Sequence, residues 1–169
     1  MIRAASWNVR GLNRRDHQTA VRDLISEFSL LFVGLVDTRV AAQHVSRVQE
    51  AVLQHWKWFN APNEAGNRIW LTWDDSEIDV VILEVHEQCI HSRVCMKRTL
   101  DACLITVVYR MLANDSWLAR WPESVCLSST PRTSDHSPLI LRGHAMHRSG
   151  VYFASTISSG CPEFYGRCE

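Results

Sequence analysis

Residues 30–39 read LLFVGLVDTR, and this stretch decides the fold class. The apolar run from Leu30 to Val36 has the length of one strand and contains no polar side chain. A run of this kind predicts a strand that is buried on both faces, as in a sheet covered by other layers. The polar residues Asp37 to Arg39 follow at once, at the point where the strand is expected to end.

Strand-like and helix-like segments alternate around this run. Ile2 to Val9 predicts a first strand, and apolar residues at helical spacing predict an amphipathic helix from about Arg14 to Phe28, with Asn13 as its N-cap. A second helix is expected with Val45 and Trp56 on its apolar face. A short helix is expected at Asp115–Arg120. Further strands are expected at Trp70–Trp73, Val80–Val85, Ala102–Tyr109 and Ser137–Leu141. This order predicts mixed α/β layers in which helices cover a sheet.

Composition indicates one globular domain. The chain has 169 residues, of which 46% are hydrophobic and 21% are charged, and a chain of this length rarely forms two compact domains. Eighteen basic residues balance eighteen acidic ones, so no global positive field indicates a nucleic-acid partner. All the basic residues except Lys57 and Lys97 are nevertheless arginines, whose planar side chain suits two-pronged phosphate contacts.

The cellular compartment is predicted from apolar runs and cysteines. No run is long enough to span a bilayer, and no signal-peptide core is present, so we expect an intracellular chain, nuclear or cytoplasmic and not secreted. We expect no membrane contact and no obligate protein partner. The six cysteines include no C-x-x-C pair, which predicts reduced thiols rather than disulfides or a zinc ribbon. His144 and His147 have no further ligand cluster nearby and are interpreted as surface residues.

Polar residues follow the first two predicted strands. Asn8 closes the first strand, with Arg10 and Asn13 in the turn after it, and Asp37 to Arg39 close the second. Side chains at the same end of adjacent strands lie on one rim of a sheet, where open sheets bind ligands. A carboxylate beside an amide suits a hard cation such as Mg²⁺. The alternative is that Asp37 caps the next helix through its N–H groups.

A third polar group, Thr133 to Pro138, precedes the last predicted strand. Its adjacent Asp135 and His136 provide a carboxylate for a metal or an imidazole, and an imidazole for proton transfer or phosphate contact. These are the groups that phosphoester cleavage uses. The alternative is a hydrogen-bonded loop rich in Thr and Ser.

Taken in chain order, the three groups resemble the motifs of one enzyme superfamily. Ser6–Asn13 (SWNVRGLN), Gly34–Arg39 (GLVDTR) and Ser134–Pro138 (SDHSP) are similar to those of the endonuclease/exonuclease/phosphatase superfamily, which has the DNase I-like fold. Within it, the resemblance is to the apurinic-type endonuclease domain of non-LTR (LINE-type) retrotransposons. The stretch Ala113–Leu118 with Trp121–Pro122 is also similar to that group.

The resemblance implies an αββα sandwich, of the α/β (α+β) class, that hydrolyses phosphodiesters of DNA with Mg²⁺, or Mn²⁺. Asn8 would help hold the phosphate or metal, and Asp37 would take the position of the family's metal-binding Glu. Asp135 would serve the metal site, His136 would contact the scissile phosphate, and Tyr109 would approach it from the end of a central strand. The implied nucleic-acid contacts are Arg10, Asn13, Arg39 and Ser134.

The sequence departs from the family at two places. No Gly-Asp-x-Asn motif, which positions the attacking water and the phosphate, occurs between Arg110 and Arg132. In the family, several strands and helices separate the segment that ends at the position of Tyr109 from the segment that Arg110 begins. Here these two segments are adjacent, so we infer an internal deletion at the 109–110 junction and an incomplete four-layer sandwich. Asp37 is also one methylene shorter than the family's Glu. We therefore expect little or no nuclease activity.

The domain is expected to span residues 1–147, and residues 148–169 are expected to form a loose tail. Two other functions stay open. The chain could be a non-catalytic nucleic-acid-binding remnant that uses arginines such as Arg10 and Arg39, or a plain α/β fold in which the polar groups are turns and caps.

Overall fold

A computed structural model describes residues 2–60, 68–109, 127–128, 138–143 and 150–154. The helices are α1 (Arg15–Phe28) and α2 (Val45–Val52), and a 3-10 turn (Ala42–His44) precedes α2. The strands are β1 (Ile2–Asn8), β2 (Phe32–Val36), β3 (Lys57–Asn60), β4 (Ile69–Trp73), β5 (Ile78–Val85), β6 (Cys89–Met96), β7 (Ala102–Val108), β8 (Leu127–Ser128), β9 (Leu139–Gly143) and β10 (Gly150–Ala154). No helix within these ranges is long and apolar enough to cross a membrane.

The strands form two sheets. One has the order β3-β4-β2-β1-β9-β8, and the other has the order β10-β7-β6-β5. Strands β1 and β2 are parallel neighbours, with Asn8 opposite Val36, so their carboxyl ends lie side by side. Strand β4 runs antiparallel to β2 and begins at that same edge, with Ile69 opposite Val36. Two sheets with helices confirm the predicted α/β (α+β) class.

The two faces of the larger sheet contact different layers. On β1, Ile2 and Ala4 pack between the sheets, whereas Ala5 and Trp7 pack with the helices. This alternation follows from the period of two along a strand. Strand β2 is buried along its whole length, which confirms the strand predicted from residues 30–36. The described helices belong to the cluster on the outer face of this sheet, so the described chain comprises three of the four expected layers.

The two sheets approach each other closely at Gly34 of β2 and Val107 of β7. A Cβ atom placed on Gly34 would lie 2.5 Å and 2.7 Å from the two γ-carbons of Val107. Real carbon atoms do not approach so closely, so a hydrogen at this position lets the two strands touch. Gly34 thereby sets how near the second sheet comes to the polar end of β2.

Helix α1 confirms the predicted amphipathic helix. Val21, Leu24 and Ile25 are buried against the sheet. The prediction that Asn13 caps this helix is wrong, because the N-cap is Arg14 and no side-chain capping hydrogen bond is present there. The Asn13 amide instead donates to the carbonyl of Arg39 at 2.8 Å, across the two loops that follow β1 and β2.

Several strands differ from the prediction. Strand β6 was not predicted, although it alternates, with Ile90 and Val94 directed inwards. Strand β3 has four residues and too short a pattern to recognise. Helix α2 ends at Val52, so Trp56 is not part of it. Strand β10 forms where the sequence predicted a loose tail, because backbone pairing with β7 requires no apolar periodicity. The helix predicted at Asp115–Arg120 and the histidines at 144 and 147 lie outside the described residues.

The described cysteines are free thiols, as predicted. Cys89 and Cys95 lie in β6 and Cys103 lies in β7. Burial raises the pKa of the Cys103 thiol to about 11, and the neighbouring Cys95 adds to this shift. Burial also raises the pKa of Cys89. The thiols of Cys89 and Cys103 therefore stay protonated near neutral pH, which makes them poor nucleophiles.

Candidate functional site

The loops that follow β1 and β2 are joined by backbone hydrogen bonds. The Val9 N–H donates to the Val36 carbonyl at 2.9 Å, and the Gly11 N–H donates to the Asp37 carbonyl at 2.8 Å. The Leu12 N–H continues the series to the Thr38 carbonyl at 2.8 Å. The two loops therefore hold each other in place beyond the ends of their strands, which fixes the first two polar groups of the sequence in one region.

Two side chains of α1 form hydrogen bonds with backbone carbonyls of the loop that follows β1. Nδ1 of His17 lies 3.0 Å from the Val9 carbonyl and 2.6 Å from the Gly11 carbonyl, so this nitrogen must carry a hydrogen. Nε2 of Gln18 donates to the Leu12 carbonyl at 2.9 Å. Both side chains are buried. The sequence analysis did not identify these two side chains as part of the site. A polar residue in the first turn of a helix can face solvent or contact another segment, and no local sequence pattern distinguishes the two.

Asp37 is the centre of the site. Its carboxylate is buried, with 7% of the side chain exposed, and its backbone adopts a positive φ of 59°. Nε of Arg39 donates to Oδ1 at 3.1 Å and Nη2 donates to Oδ2 at 2.7 Å. This two-pronged pair raises the pKa of Arg39, through the hydrogen bonds first and the charge of Asp37 second. The alternative that Asp37 caps a helix is wrong, since the next helical turn has Ala41 as its N-cap and no side-chain capping bond.

Tyr109 brings the second sheet into the site. It follows β7 directly, and its hydroxyl donates to Oδ1 of Asp37 at 3.4 Å, a long hydrogen bond. Its own N–H donates to the carbonyl of Gln88 at 2.7 Å, which fixes the backbone at the end of the strand. The site therefore combines residues from both sheets, although Asp37 and Tyr109 are 72 positions apart in the sequence.

Arg68 was not predicted as a site residue. Its Nη1 donates to the Tyr109 hydroxyl at 3.2 Å, and its guanidinium lies over the ring, 5.5 Å from the centroid. Its carbonyl accepts a hydrogen bond from the Thr38 N–H at 3.4 Å. The signal that could have revealed it is the pairing of β4 with β2, because an antiparallel neighbour begins where its partner ends.

Three further predicted residues lie at the end of β1 and in the loop that follows it. Asn8 is 7% exposed, and its Oδ1 accepts a hydrogen bond from the Arg10 N–H at 3.1 Å. Arg10 is exposed and has a positive φ of 45°. Asn13 is exposed and contacts the Arg39 carbonyl, as described above. The structure thus groups these residues with Asp37, Arg39 and Tyr109 at one edge of the sandwich. Ser134, Asp135 and His136 lie outside the described residues.

Arginines predominate among the described charged side chains of this edge. Arg10, Arg39 and Arg68 are exposed. Arg39 pairs with the buried carboxylate of Asp37, and Arg68 contacts Tyr109. The exposed guanidinium groups favour an anion, and phosphate and carboxylate are the anions that planar, two-pronged arginine contacts suit.

The described residues do not fit a divalent cation as they are arranged. Both oxygens of Asp37 already accept hydrogen bonds from Arg39, and a cation would have to displace this guanidinium. No group of three His, Cys, Asp or Glu residues that could hold a metal occurs in the described part of the chain.

Neither a protein-family model nor a curated protein matches the sequence. Solved structures do match. An endonuclease/exonuclease/phosphatase family protein from Bacteroides thetaiotaomicron is 12% identical over 63% of this chain and 50% of its own, with a TM-score of 0.48. TDP2 of D. rerio, complexed with single-stranded DNA product, is 12% identical over 68% and 48%, with a TM-score of 0.49.

The endonuclease domain of TRAS1, a telomere-specific non-LTR retrotransposon, also matches. It is 8% identical over 72% of this chain and 52% of its own, with a TM-score of 0.47. The chain therefore spans about half of the length of each of these structures.

Proposed function

We propose that this chain is a nuclease-type domain of the endonuclease/exonuclease/phosphatase superfamily, derived from a retrotransposon endonuclease, that binds DNA phosphates and hydrolyses them weakly or not at all. One observation carries this proposal. Asn8, Asp37 and Tyr109, which follow or end three strands of two sheets, lie at one edge, where exposed arginines surround a buried carboxylate. The geometry supports a phosphate-binding edge of the kind that the motifs imply.

The proposed roles follow the chemistry of each residue. Arg10, Asn13, Arg39 and Ser134 contact the nucleic acid, and Asn8 helps to hold the phosphate. His136 contacts the scissile phosphate, and Tyr109 approaches it. In the ancestral enzyme, the residues at positions 8, 37 and 135 would hold a Mg²⁺ or Mn²⁺ ion, and that ion would supply charge stabilisation of the phosphoryl oxygens. For this chain we propose no step that depends on a cation, because Arg39 holds both oxygens of Asp37.

Weak or absent hydrolysis is proposed from what the sequence lacks. The Gly-Asp-x-Asn motif does not occur between residues 110 and 132, which we attribute to an internal deletion at the 109–110 junction. Removal of one member of a cooperating catalytic set commonly lowers the rate by about 10³- to 10⁶-fold. The loss of several members leaves binding as the activity that the edge can still support.

A non-catalytic nucleic-acid-binding remnant is the second candidate, and one contact favours it. The guanidinium of Arg39 lies against the carboxylate that a nuclease would use for its metal. A chain that keeps this pair can bind a phosphate through arginine without any capacity to activate water.

Nicking of supercoiled plasmid DNA tests the proposed loss of hydrolysis. The full chain and its His136→Ala variant are incubated with plasmid in Mg²⁺ and, separately, in EDTA. We expect the chain to nick slowly or not at all, and its rate to stay within about tenfold of that of the variant under either condition. Rapid nicking that requires Mg²⁺ and is about 10³-fold slower or more in His136→Ala would show an intact nuclease and overturn this part of the proposal.

Fluorescence anisotropy of a labelled single-stranded DNA oligonucleotide tests the proposed binding. We expect the full chain to bind in EDTA at low salt, with an affinity that falls as salt is added, because phosphate contacts release counterions. No binding at low salt, with or without Mg²⁺, would overturn the proposed function as a whole.

A further inference from the structure

The Asp37–Arg39 pair has an unequal exposure. The side chain of Asp37 is 7% exposed, whereas that of Arg39 is 61% exposed. The carboxylate is therefore the buried half of the pair and the guanidinium is the half that meets solvent. A buried carboxylate with a two-pronged partner resists separation, because removal of the partner leaves an uncompensated charge.

Arg39 keeps donors for a second acceptor. A guanidinium carries five N–H bonds in one plane, and the contact with Asp37 uses one on Nε and one on Nη2. Three N–H bonds, those of Nη1 and the second of Nη2, are not engaged by the carboxylate. Arg39 can thus hold Asp37 with one side of its plane and present donors to a phosphate with another.

Arg68 provides a second guanidinium, which is connected to that of Arg39 through Tyr109 and Asp37. Tyr109 accepts a hydrogen bond from Arg68 and donates one to Asp37, so the four side chains form a continuous series from Arg68 through Tyr109 and Asp37 to Arg39. The guanidinium over the Tyr109 ring is restricted in its orientation. This series contains two guanidinium cations and one carboxylate. Its net charge is therefore positive, which favours the binding of an external anion.

We propose that Arg39 and Arg68 bind one DNA phosphate directly, without a divalent cation, and that Asp37 acts as the positioning residue for Arg39 instead of as a metal ligand. This inference rests on the proposed function, since it names the residues and the mode by which the edge binds DNA. It assigns to Arg68 a role that the three sequence motifs do not include.

Direct binding of the phosphate by arginine and binding through a metal ion predict different effects of neutralising Asp37. If a cation on Asp37 held the phosphate, neutralising Asp37 would abolish binding. If arginine holds the phosphate, Asp37→Asn removes a negative charge near the DNA and keeps one side-chain oxygen that can accept a hydrogen bond from Arg39, so Arg39 stays positioned and binding is retained. The two modes therefore predict opposite results for the same substitution.

The experiment measures binding of a labelled single-stranded DNA oligonucleotide by anisotropy, in EDTA and in Mg²⁺. The variants of the full chain are Asp37→Asn, Asp37→Asn/Arg39→Met and Arg68→Met, each checked for folding by circular dichroism. The double variant removes Arg39 without leaving a buried carboxylate unpaired. The matched control is Arg93→Met, since Arg93 is an exposed arginine of β6 on the outer face of the second sheet.

We expect Asp37→Asn to bind in EDTA at least as tightly as the unmodified chain, and Mg²⁺ to add nothing. We expect Arg68→Met, and the double variant relative to Asp37→Asn, to bind about tenfold more weakly, the loss typical of one charge-assisted contact. Arg93→Met is expected to bind normally. Binding that requires Mg²⁺ and disappears in Asp37→Asn would overturn the inference while leaving the proposed function intact. Unchanged affinity in both arginine variants would also overturn it.

Discussion

The hydroxyl of Tyr109 lies 3.4 Å from Oδ1 of Asp37 and 3.2 Å from Nη1 of Arg68. Through this hydroxyl, the residue that follows β7 of the second sheet contacts the polar loops of the first sheet. The contact with Asp37 is long and that with Arg68 is at the upper end of the usual range, so their net contribution to stability is small, of the order of 0.5–1.5 kcal/mol each. Their importance is positional, because they place Arg68 beside the Asp37–Arg39 pair.

The variant Tyr109→Phe separates the contribution of the Tyr109 hydroxyl to stability from its role in positioning Arg68. It keeps the ring under the guanidinium of Arg68 and removes the hydroxyl. We expect binding to single-stranded DNA to weaken about three- to tenfold, because Arg68 loses its hydrogen-bonded partner, while the free energy of unfolding falls by less than about 2 kcal/mol. Anisotropy and urea denaturation measure the two quantities. Unchanged DNA affinity would contradict a positioning role for Tyr109.

Gly34 allows the close approach of the two sheets, and Gly34→Ala tests it. We expect a loss of about 1–3 kcal/mol in the free energy of unfolding, since the new methyl group meets both γ-carbons of Val107. Adding Val107→Ala should recover part of the loss, so that the double variant is more stable than the sum of the single changes predicts.

Gly11→Ala is the matched control for this cycle. Gly11 has a φ of 105°, so alanine is strained there, but the nearest atom to its Cβ would be Cδ of Arg39 at 4.0 Å. We expect Gly11→Ala to be destabilising and Val107→Ala not to rescue it. Equal behaviour of the two glycine variants towards Val107→Ala, measured by urea denaturation, would show that Gly34 does not act through this contact.

His17 connects α1 to the loop that follows β1. His17→Ala removes the donor shared by the carbonyls of Val9 and Gly11, and we expect a loss of about 1–3 kcal/mol in stability. His17→Asn places an N–H donor near the position of Nδ1 and should recover part of this loss. Thermal denaturation of the three proteins checks the order. An asparagine variant no more stable than the alanine variant would argue that packing, and not this hydrogen bond, explains the effect.

Cys103 gives the stability a dependence on alkaline pH. Burial raises the pKa of the folded thiol from 9.0 to about 11, so the unfolded chain releases this proton first as the pH rises. The folded state therefore binds more protons between these values, and stability present below pH 9 is lost as the pH approaches 11, by an amount of the order of 2 kcal/mol.

The variant Cys103→Ala isolates this contribution. Other groups also titrate in the same range, so the informative quantity is the difference between the unmodified chain and the variant in urea denaturation at pH 8 and at pH 10.5. We expect this difference to shrink at the higher pH. A difference that is the same at both pH values would contradict the raised pKa.

The sequence predicted the elements whose patterns are local. The run from Leu30 to Val36 and the helical spacing of Val21, Leu24 and Ile25 each require only their own segment to recognise, and both were confirmed. The predicted location of Asp37 beside Asn8 followed from the parallel pairing of two adjacent strands. Such inferences succeed because strand ends are set by where apolar residues stop.

The missed features depend on partners that are distant in sequence. Arg68 becomes a site residue only through the pairing of β4 with β2 and the arrival of Tyr109 from the other sheet. Asp37 does not cap a helix, because both of its carboxylate oxygens accept hydrogen bonds from Arg39, two residues later in the chain. The backbone has a positive φ at both Asp37 and Arg39. No sequence pattern reports such a backbone turn when neither residue is glycine.

Metal-free binding of a DNA phosphate by arginine is best tested by the salt dependence of DNA binding, measured in EDTA for the unmodified chain and for Arg68→Met. We expect the unmodified chain to bind single-stranded DNA without metal, and the slope of log affinity against log salt to become shallower by about 0.7 in the variant, the value for one lost phosphate contact. An identical slope for the two proteins, or no binding until Mg²⁺ is added, would contradict it.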